Sequence, residues 1–247
     1  MCLILVAWQA HPDFPLVVAA NRDEFHARPT AHAAPWPDAP QVLAGRDLEA
    51  GGTWLGITRS GRFAAVTNVR EPGAPQGTRS RGWLTKDFLM GDTAPADYVT
   101  SIDPEAYSGF NLLVADGESL AYRSNRAGDA RSLPPGIYGV SNHLLDTPWP
   151  KLETARRSFR EALTALPDET GFFDLLADDE IVADEHLPRT GVTLDWERRL
   201  SAIFVKSPQY GTRASTLVIR RKDGGGVLIE RDFDAEGQIA GERRLSF

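Results

Sequence analysis

The single cysteine of this 247-residue chain is its second residue, and that position gives the thiol a special chemistry. If Met1 is removed, Cys2 carries a thiol and a free α-amine on one residue. The amine has a reference pKa of about 8 and can accept the thiol proton, as in enzymes with an N-terminal nucleophile. If Met1 is retained, Cys2 is a small apolar residue at the start of a strand. The position alone leaves both interpretations open.

A cation and a carboxylate are expected near this thiol. Residues 2–8 and 15–20 are apolar runs joined by a turn-forming segment, which predicts two strands of a hairpin. Antiparallel pairing brings the outer ends of two such strands together. Arg22 and Asp23, which follow the second run, are therefore predicted to lie beside Cys2.

The rest of the chain predicts further strand pairs with helices between them. Strands are expected at residues 53–57, 62–68, 110–115, 120–123, 136–142, 203–205, 214–220, 227–233 and 243–247. Helices are expected at residues 83–90, 95–102 and 149–166, and another is expected to start at residues 172–176. Residues 25–40, rich in Ala, Pro and His, predict a long surface loop. This order favours stacked sheets with helices outside, and two of the strands end in Asn68 and Asn142.

Composition argues against several classes of protein. The net charge of −7 and the scattered basic residues do not suit a nucleic-acid binder, and no run approaches the roughly 18 apolar residues that span a bilayer. One cysteine excludes an internal disulfide framework and a cysteine-based zinc site. The five histidines lack paired spacing, so we expect no metal and no cofactor. We expect a soluble, cytoplasmic protein with residues 1–247 in one domain, and the oligomeric state stays open.

Several motifs, taken in order, resemble the NRDE family, which is the family of transport and Golgi organisation protein two. The resemblance runs nearly the full length of the chain. It rests on Met1-Cys2, residues 21–25 with Arg28-Pro29, residues 52–56, Thr67-Asn68, residues 109–112, residues 138–142, residues 145–149 and residues 210–213. The family is distantly similar to N-terminal nucleophile hydrolases of the choloylglycine hydrolase and penicillin V acylase kind. That resemblance implies an α+β fold, a four-layer αββα sandwich of two antiparallel sheets between helices.

The resemblance also assigns roles to individual residues. Cys2 would be the nucleophile, Arg22 the cation beside it and Asn142 the oxyanion donor. Asn68 would be a second oxyanion donor and Arg213 a late arginine that supports the site. Asp23 is a further catalytic candidate, but it departs from the hydrolase pattern, which places two residues between arginine and aspartate, whereas here the two are adjacent. Since neighbours on a strand point to opposite faces, Arg22 and Asp23 are not expected to reach Cys2 in the same way.

Two functions of different class follow from the resemblance. One is an N-terminal cysteine amidohydrolase that cleaves the amide bond of a small acylated substrate. The other is a binding or trafficking protein for an apolar ligand such as haem, lipid or acyl-CoA, with which members of this family are associated. Each residue also has a structural alternative: an ion pair with Asp23 or Glu24 for Arg22, a cap of the next segment for Asn142, and an ordinary turn position for Asn68.

Overall fold

The computed structural model describes residues 2–247 and shows a layered arrangement of strands and helices. The strands are β1 Cys2–Trp8, β2 Leu16–Phe25, β3 Thr30–Trp36, β4 Ala39–Asp47, β5 Leu55–Thr58, β6 Phe63–Asn68, β7 Phe110–Ala115, β8 Leu120–Ser124, β9 Arg131–Leu133, β10 Gly136–Val140, β11 Tyr210–Arg220, β12 Gly226–Phe233 and β13 Ile239–Ser246. The α-helices are α1 Gly82–Met90, α2 Pro95–Ser101, α3 Pro150–Thr164, α4 Thr170–Leu176 and α5 Leu194–Arg199.

These strands form two antiparallel sheets. The first sheet has six strands in the order β10-β1-β2-β11-β12-β13. The second sheet has seven strands in the order β3-β4-β5-β6-β7-β8-β9. The first sheet joins the N-terminal hairpin to the C-terminal strands because β2 pairs with β11 along most of its length.

Three buried clusters show that the two sheets stack between helices. One cluster lies between the sheets and takes alternate residues of β1 such as Ile4 and Val6. The opposite face of β1, including Leu3 and Leu5, packs with α3 and α4. The third cluster packs α1 and α2 on the outer face of the second sheet. The fold is therefore the predicted αββα sandwich, and the apolar character of β1 on both faces follows from burial on both sides.

The prediction of a long loop at residues 25–40 is wrong, because β3 and the start of β4 occupy most of this segment. β3 is an edge strand, and Pro35 is tolerated there because an edge strand has one row of unpaired backbone groups. Its pairing with β4 also shifts register between Ala31 and Ala34. Small residues, a proline and an irregular register together obscure the alternation of apolar and polar residues that marks a strand.

The predicted strand at residues 203–205 is also wrong, since this buried segment makes no ladder. Two of its backbone groups are bound by side chains from neighbouring strands, and two others by backbone groups of Asp178 and Thr212. The carbonyl of Ile203 accepts from Asn21 Nδ2, and the amide of Val205 donates to Thr212 Oγ1. Elsewhere, the predicted strands and helices agree with the structure to within a few residues, while most of β4, together with β9 and α5, has no counterpart in the prediction.

Within residues 2–247, no helix has the length and apolar character needed to cross a lipid bilayer.

Candidate active site around Cys2

Cys2 and Arg22 are direct cross-strand partners in the β1–β2 pair, as the hairpin predicted. Cys2 belongs to the same strand face as Ile4 and Val6, so its side chain lies at the open end of the layer between the sheets. The residue is 8% exposed and lines a cleft of about 650 Å³. The thiol is thus buried but borders a cavity large enough for a small molecule.

The cleft is lined mainly by charged and polar side chains. Among the lining residues are Cys2, Arg22, Asp23, Glu24, Arg28, Asp47, Thr67, Asn68, Glu71, Arg79, Arg81 and Arg213. Several of the arginines are neutralised, such as Arg28, whose Nε lies 2.8 Å from Asp47 Oδ2. Arg22 has a more distant carboxylate partner, Glu24, at 3.8 Å.

The electrostatic environment of the thiol favours its protonated form. Burial is the main influence and raises the pKa of Cys2, and the negative charge of Asp23 raises it further. The Arg22 guanidinium and a backbone hydrogen bond with Asp23 lower the pKa of the thiol. The expected effect of Arg22 is therefore present, but burial outweighs it. Attack by this sulfur needs a base at the moment of reaction, and removal of Met1, on which the α-amine depends, concerns a residue outside the described range.

Asp23 contacts Cys2 through its backbone, whereas its carboxylate is held by the next strand. Thr212 Oγ1 donates to Asp23 Oδ1 at 2.8 Å, and the Tyr210 hydroxyl donates to the Asp23 carbonyl at 3.0 Å. Burial raises the pKa of the Asp23 carboxyl, and the charges of Lys151 and Arg70 oppose that rise. The adjacency of Arg22 and Asp23 in sequence thus places their side chains in different surroundings, as alternation along β2 requires.

Asn68 and Asn142 meet at one edge of the site, although 74 residues separate them. Asn142 Nδ2 donates to Asn68 Oδ1 at 2.8 Å. Asn68 lines the cleft, whereas Asn142 is fully buried and does not. Asn142 has a left-handed backbone, with φ of 52°, and its carbonyl accepts from the Arg70 amide at 2.7 Å. Of the two predicted oxyanion donors, only Asn68 borders the cavity. Asn142 is buried and contacts Asn68.

Arg213 lies at a register shift in β11, between Thr212 and Ala214. Such irregularities re-aim side chains and are frequent beside active sites. Arg213 Nη1 donates to the carbonyls of Phe25, His26 and Arg28 at 3.0, 3.1 and 3.3 Å. Arg213 therefore lines the cleft and also fixes the turn between β2 and β3.

Arg81 borders the same cleft and was not predicted as a site residue. Its Nη1 donates to the Gly109 carbonyl at 3.1 Å. Burial lowers the pKa of Arg81, and the nearby acidic groups of Cys2 and Glu24 oppose that effect. The sequence shows Arg79 and Arg81 just before α1, but spacing alone does not reveal that this turn lines the same cleft as the thiol.

Lys151 is a second residue that sequence reasoning missed. It is 5% exposed, and its Nζ donates to the Leu200 carbonyl at 2.9 Å. Burial lowers the pKa of Lys151 to about 8, while the charge of Asp23 opposes that shift. A buried lysine close to a carboxylate and a thiol is a common feature of functional sites. No local signal identifies it, because lysine near the start of a helix is usually exposed.

A buried ion pair lies near Lys151, whose pKa the charge of Arg70 lowers. Arg70 Nη1 lies 2.9 Å from Glu197 Oε2, and both side chains are almost fully buried. Glu197 Oε1 accepts from the amide and the hydroxyl of Thr190, both at 2.7 Å. The pair ties α5 to the segment that follows Asn68.

The chain is similar to known proteins in sequence and in fold. It matches the family described as Transport and Golgi organisation 2 over residues 1–235. It is 36% identical over 257 residues to the human Transport and Golgi organization protein 2 homolog, covering 94% of this chain and 93% of the relative. The Drosophila melanogaster Transport and Golgi organization protein 2 is 28% identical over 253 residues, covering 89% of this chain and 87% of the relative.

Two solved structures share the fold at low sequence identity. The Caenorhabditis elegans ortholog of N-acylethanolamine-hydrolyzing acid amidase has a TM-score of 0.56 at 15% identity, covering 88% of this chain and 92% of that one. A mutant of the conjugated bile acid hydrolase from Clostridium perfringens has a TM-score of 0.56 at 8% identity, covering 99% of this chain and 92% of that one. These similarities establish the N-terminal nucleophile hydrolase fold that the family resemblance implied. By sequence, the chain belongs to the Transport and Golgi organisation 2 family.

Proposed function

We propose that this protein is an N-terminal cysteine amidohydrolase that cleaves the amide bond of a small acylated substrate. The observation that carries the proposal is the cross-strand pairing of Cys2 with Arg22 at a cleft that Asn68 also lines. A nucleophile, a cation and a side-chain amide donor around one cavity are the groups that acyl transfer needs. The names of the two proteins of similar fold, an amidase and a hydrolase, support the same reaction class.

In the proposed reaction, Cys2 Sγ attacks the amide carbonyl carbon after Met1 has been removed. The thiol proton passes to the Cys2 α-amine as the C–S bond forms and the carbonyl oxygen becomes an oxyanion. The C–N bond then breaks, and the leaving amine takes that proton. Water attacks the resulting thioester, the C–S bond breaks, and the carboxylic acid leaves with the thiol and amine restored.

This sequence of proton transfers suits the raised pKa of the thiol. Because burial raises the pKa of the thiol, the proposed mechanism has the sulfur lose its proton during attack rather than before it. Arg22 then stabilises the sulfur as negative charge develops there. Asn68 Nδ2 donates to the oxyanion, a contribution worth about 3 kcal/mol of barrier in enzymes of known mechanism. Asn142 holds Asn68 in place and contacts no reacting atom.

A second candidate is a binding protein that keeps the cleft without turnover. The cavity volume is typical of small-ligand sites, and the thiol in its buried, protonated state is a weak nucleophile. The guanidinium groups of Arg22, Arg81 and Arg213 in the lining favour a ligand that combines an acyl or other apolar part with an acidic group. Haem and acyl-CoA both have that character and serve as probes of this alternative.

The test compares the protein with and without a free Cys2 α-amine. Intact mass identifies the processed chain, and a one-residue N-terminal extension provides a form whose thiol is present but whose amine is blocked. A panel of N-acyl amides is assayed for acid release, and acid-quenched samples are examined by mass for an acyl adduct on Cys2. We expect turnover and the adduct only with the processed chain.

The Asn68→Ala variant is the matched control, since it keeps the only cysteine and the free amine. It should react with iodoacetamide at the wild-type rate and lose acid release. If the processed protein shows no acid release and no adduct across the panel, yet gives a saturable haem or acyl-CoA titration, the binding function replaces the enzymatic one.

A further inference from the structure

A cluster of one histidine and two carboxylates lines another part of the cleft wall. Glu230 and Asp232 are two residues apart on β12, so their side chains share one face of the first sheet. His32 belongs to β3 of the second sheet, within the register shift between Ala31 and Ala34. A bulge of this kind turns side chains out of the regular alternation, and here it brings His32 to the two carboxylates.

The ligating atoms of this cluster converge closely. One donor atom from each of His32, Glu230 and Asp232 lies within 4.8 Å of the others. His32 Nδ1 lies 2.9 Å from Asp232 Oδ1. Glu230 Oε1 accepts a hydrogen bond from the Ala33 amide at 2.6 Å. The three side chains are therefore held by two different sheets around one small volume.

A second observation points to a cation in this volume. Glu230 is 4% exposed, and its Oε2 accepts no hydrogen bond from any residue in the described part of the chain. Glu230 is among the residues that line the cleft. A buried carboxylate is costly unless its oxygens are paired or coordinate a metal. One half of the Glu230 carboxylate is satisfied by protein and the other half is available to a ligand.

We propose that His32, Glu230 and Asp232 bind one divalent transition-metal cation at the wall of the Cys2 cleft. One imidazole nitrogen and two carboxylate oxygens suit Zn²⁺ or Mn²⁺ better than Ca²⁺, which takes oxygen ligands alone. Three protein ligands leave coordination positions for water or for a polar group of a cleft ligand. The proposal does not depend on the amidohydrolase function.

Two arginines partly neutralise the negative charge of Asp232, which such a cation would bind. Arg243 Nη1 bonds Asp232 Oδ2, and the charge of Arg213 also interacts with Asp232. The Arg243 contact uses Oδ2 and leaves Oδ1 as the ligand atom beside His32 Nδ1. The cation would replace the direct His32–Asp232 contact and add a partner for Glu230. A metal-free ion-pair network of His32, Asp232 and Arg243 is the competing account that the experiment must separate.

The test measures binding of Zn²⁺ and of Mn²⁺ to the full chain after treatment with a chelator. It uses a Cys2→Ser background, so that the thiol does not supply a competing ligand and turnover plays no part. Isothermal titration calorimetry gives stoichiometry and Kd, and thermal unfolding with and without metal gives an independent readout, because a ligand of the folded state raises Tm. We expect one equivalent bound with at least one of the two metals, and a higher Tm.

Two substitutions assign the site, and a third provides the control. Glu230→Gln keeps an oxygen for the Ala33 amide but removes the charge, and His32→Ala changes a half-exposed residue with little effect on folding. Each substitution should raise the Kd for the metal at least about tenfold, since even the loss of a residue that only hydrogen-bonds a metal ligand lowers metal affinity by that factor. His186→Ala, on an exposed turn at residues 184–186, should leave Kd unchanged.

The proposal is overturned if neither metal gives saturable binding at millimolar concentration, or if both variants bind as tightly as the parent. If circular dichroism shows that Glu230→Gln does not fold, the Kd of His32→Ala alone tests the proposed site. Because the background lacks the thiol, loss of the metal site and failure of the hydrolase proposal are observed in separate experiments.

Discussion

The side-chain amide of Asn142 donates to Oδ1 of Asn68 at 2.8 Å, which links the segment after β10 to the end of β6. Since Oδ1 of Asn68 accepts this bond, its Nδ2 is the group left to donate, and the other contact of that nitrogen, to the Val69 carbonyl, is long at 3.4 Å. Asn142 is fully buried, while Asn68 borders the cleft. One asparagine therefore sets the orientation of the other.

The first prediction separates these two asparagines. Asn68→Ala should lower kcat by roughly 10²- to 10³-fold, the usual effect of losing an oxyanion donor. Asn142→Asp keeps a side chain that tolerates the left-handed backbone but removes the donor to Asn68. It should also lower kcat, with KM little changed, because the defect lies in orientation during the reaction. Steady-state kinetics on an amide found in the substrate panel measure both effects.

The two variants should differ in structure as well as in rate. Asn142→Asp lacks a buried hydrogen bond and should unfold at a lower urea concentration than wild type, whereas Asn68→Ala should change stability less. A full wild-type rate in Asn68→Ala would assign the oxyanion to another donor.

The second prediction concerns the pKa of the thiol. Arg22→Gln removes a charge that lowers the pKa of Cys2, so the pKa should rise further, and Asp23→Asn removes a charge that raises it, so the pKa should fall. The chain has one cysteine, so thiolate absorbance at 240 nm and iodoacetamide rates against pH report on this residue alone.

Arg157→Gln is the matched control for charge, because Arg157 lies on the exposed face of α3. It should leave the titration of the thiol unchanged. Equal thiol titrations in Arg22→Gln and wild type would remove Arg22 from its assigned role.

The proximity of Cys2 and Arg22 could be predicted from sequence because it depends on a hairpin whose partners are near in the chain. Two apolar runs with a turn between them fix which strand ends meet. The layer order could be predicted from the succession of strand pairs and helices. The role suggested for Asn142 came from the family resemblance, and its contact with Asn68 needed the structure, because it joins strands of different sheets.

The residues that were missed are those whose environment is set by distant packing. Lys151 is buried because α3 packs on the first sheet, and Arg81, in the turn before α1, borders the same cleft as Cys2. His32 was assigned to a surface loop because its strand lies at an edge with an irregular register. In each case the sequence pattern is local, whereas the burial depends on segments tens of residues away.

The third prediction is a pH dependence of stability from Lys151. Its pKa is about 8 in the folded protein, below its ordinary value of 10.5. Between these values the unfolded chain binds a proton that the folded chain has lost, so this group makes stability rise with pH from about 8 to 10.5. The shift corresponds to roughly 3 kcal/mol at 1.36 kcal/mol per pKa unit. The Lys151→Met variant should therefore lack this rise in the free energy of unfolding with pH.

Urea unfolding at pH 7.5, 8.5, 9.5 and 10.5 measures the effect as a difference between variant and wild type, so other groups that titrate in this range cancel. Lys222→Met, at an exposed turn, should keep the wild-type slope. A wild-type slope in Lys151→Met would mean that the amine titrates as an exposed lysine does.

The fourth prediction concerns the buried pair of Arg70 and Glu197, whose charged atoms lie 2.9 Å apart. Removing one member of a buried ion pair is strongly destabilising, typically by about 3–5 kcal/mol. Glu197→Gln keeps an oxygen for Thr190 but leaves the Arg70 guanidinium without this carboxylate. It should therefore lower the free energy of unfolding by an amount within that range. Urea denaturation at pH 7 measures the change.

The Asp184–Arg198 pair is the matched control, since its charged atoms are as close, at 2.6 Å, but both side chains are about half exposed. Exposed pairs are screened by water and contribute little, so Asp184→Asn should shift the urea midpoint far less than Glu197→Gln. The backbone amide of Arg70 also donates a hydrogen bond to Asn142. A displacement of Arg70 in Glu197→Gln should therefore shift Asn142 and Asn68 and lower kcat. Equal midpoints for the two variants, with wild-type kcat in both, would show that the buried pair neither stabilises the fold nor supports the site.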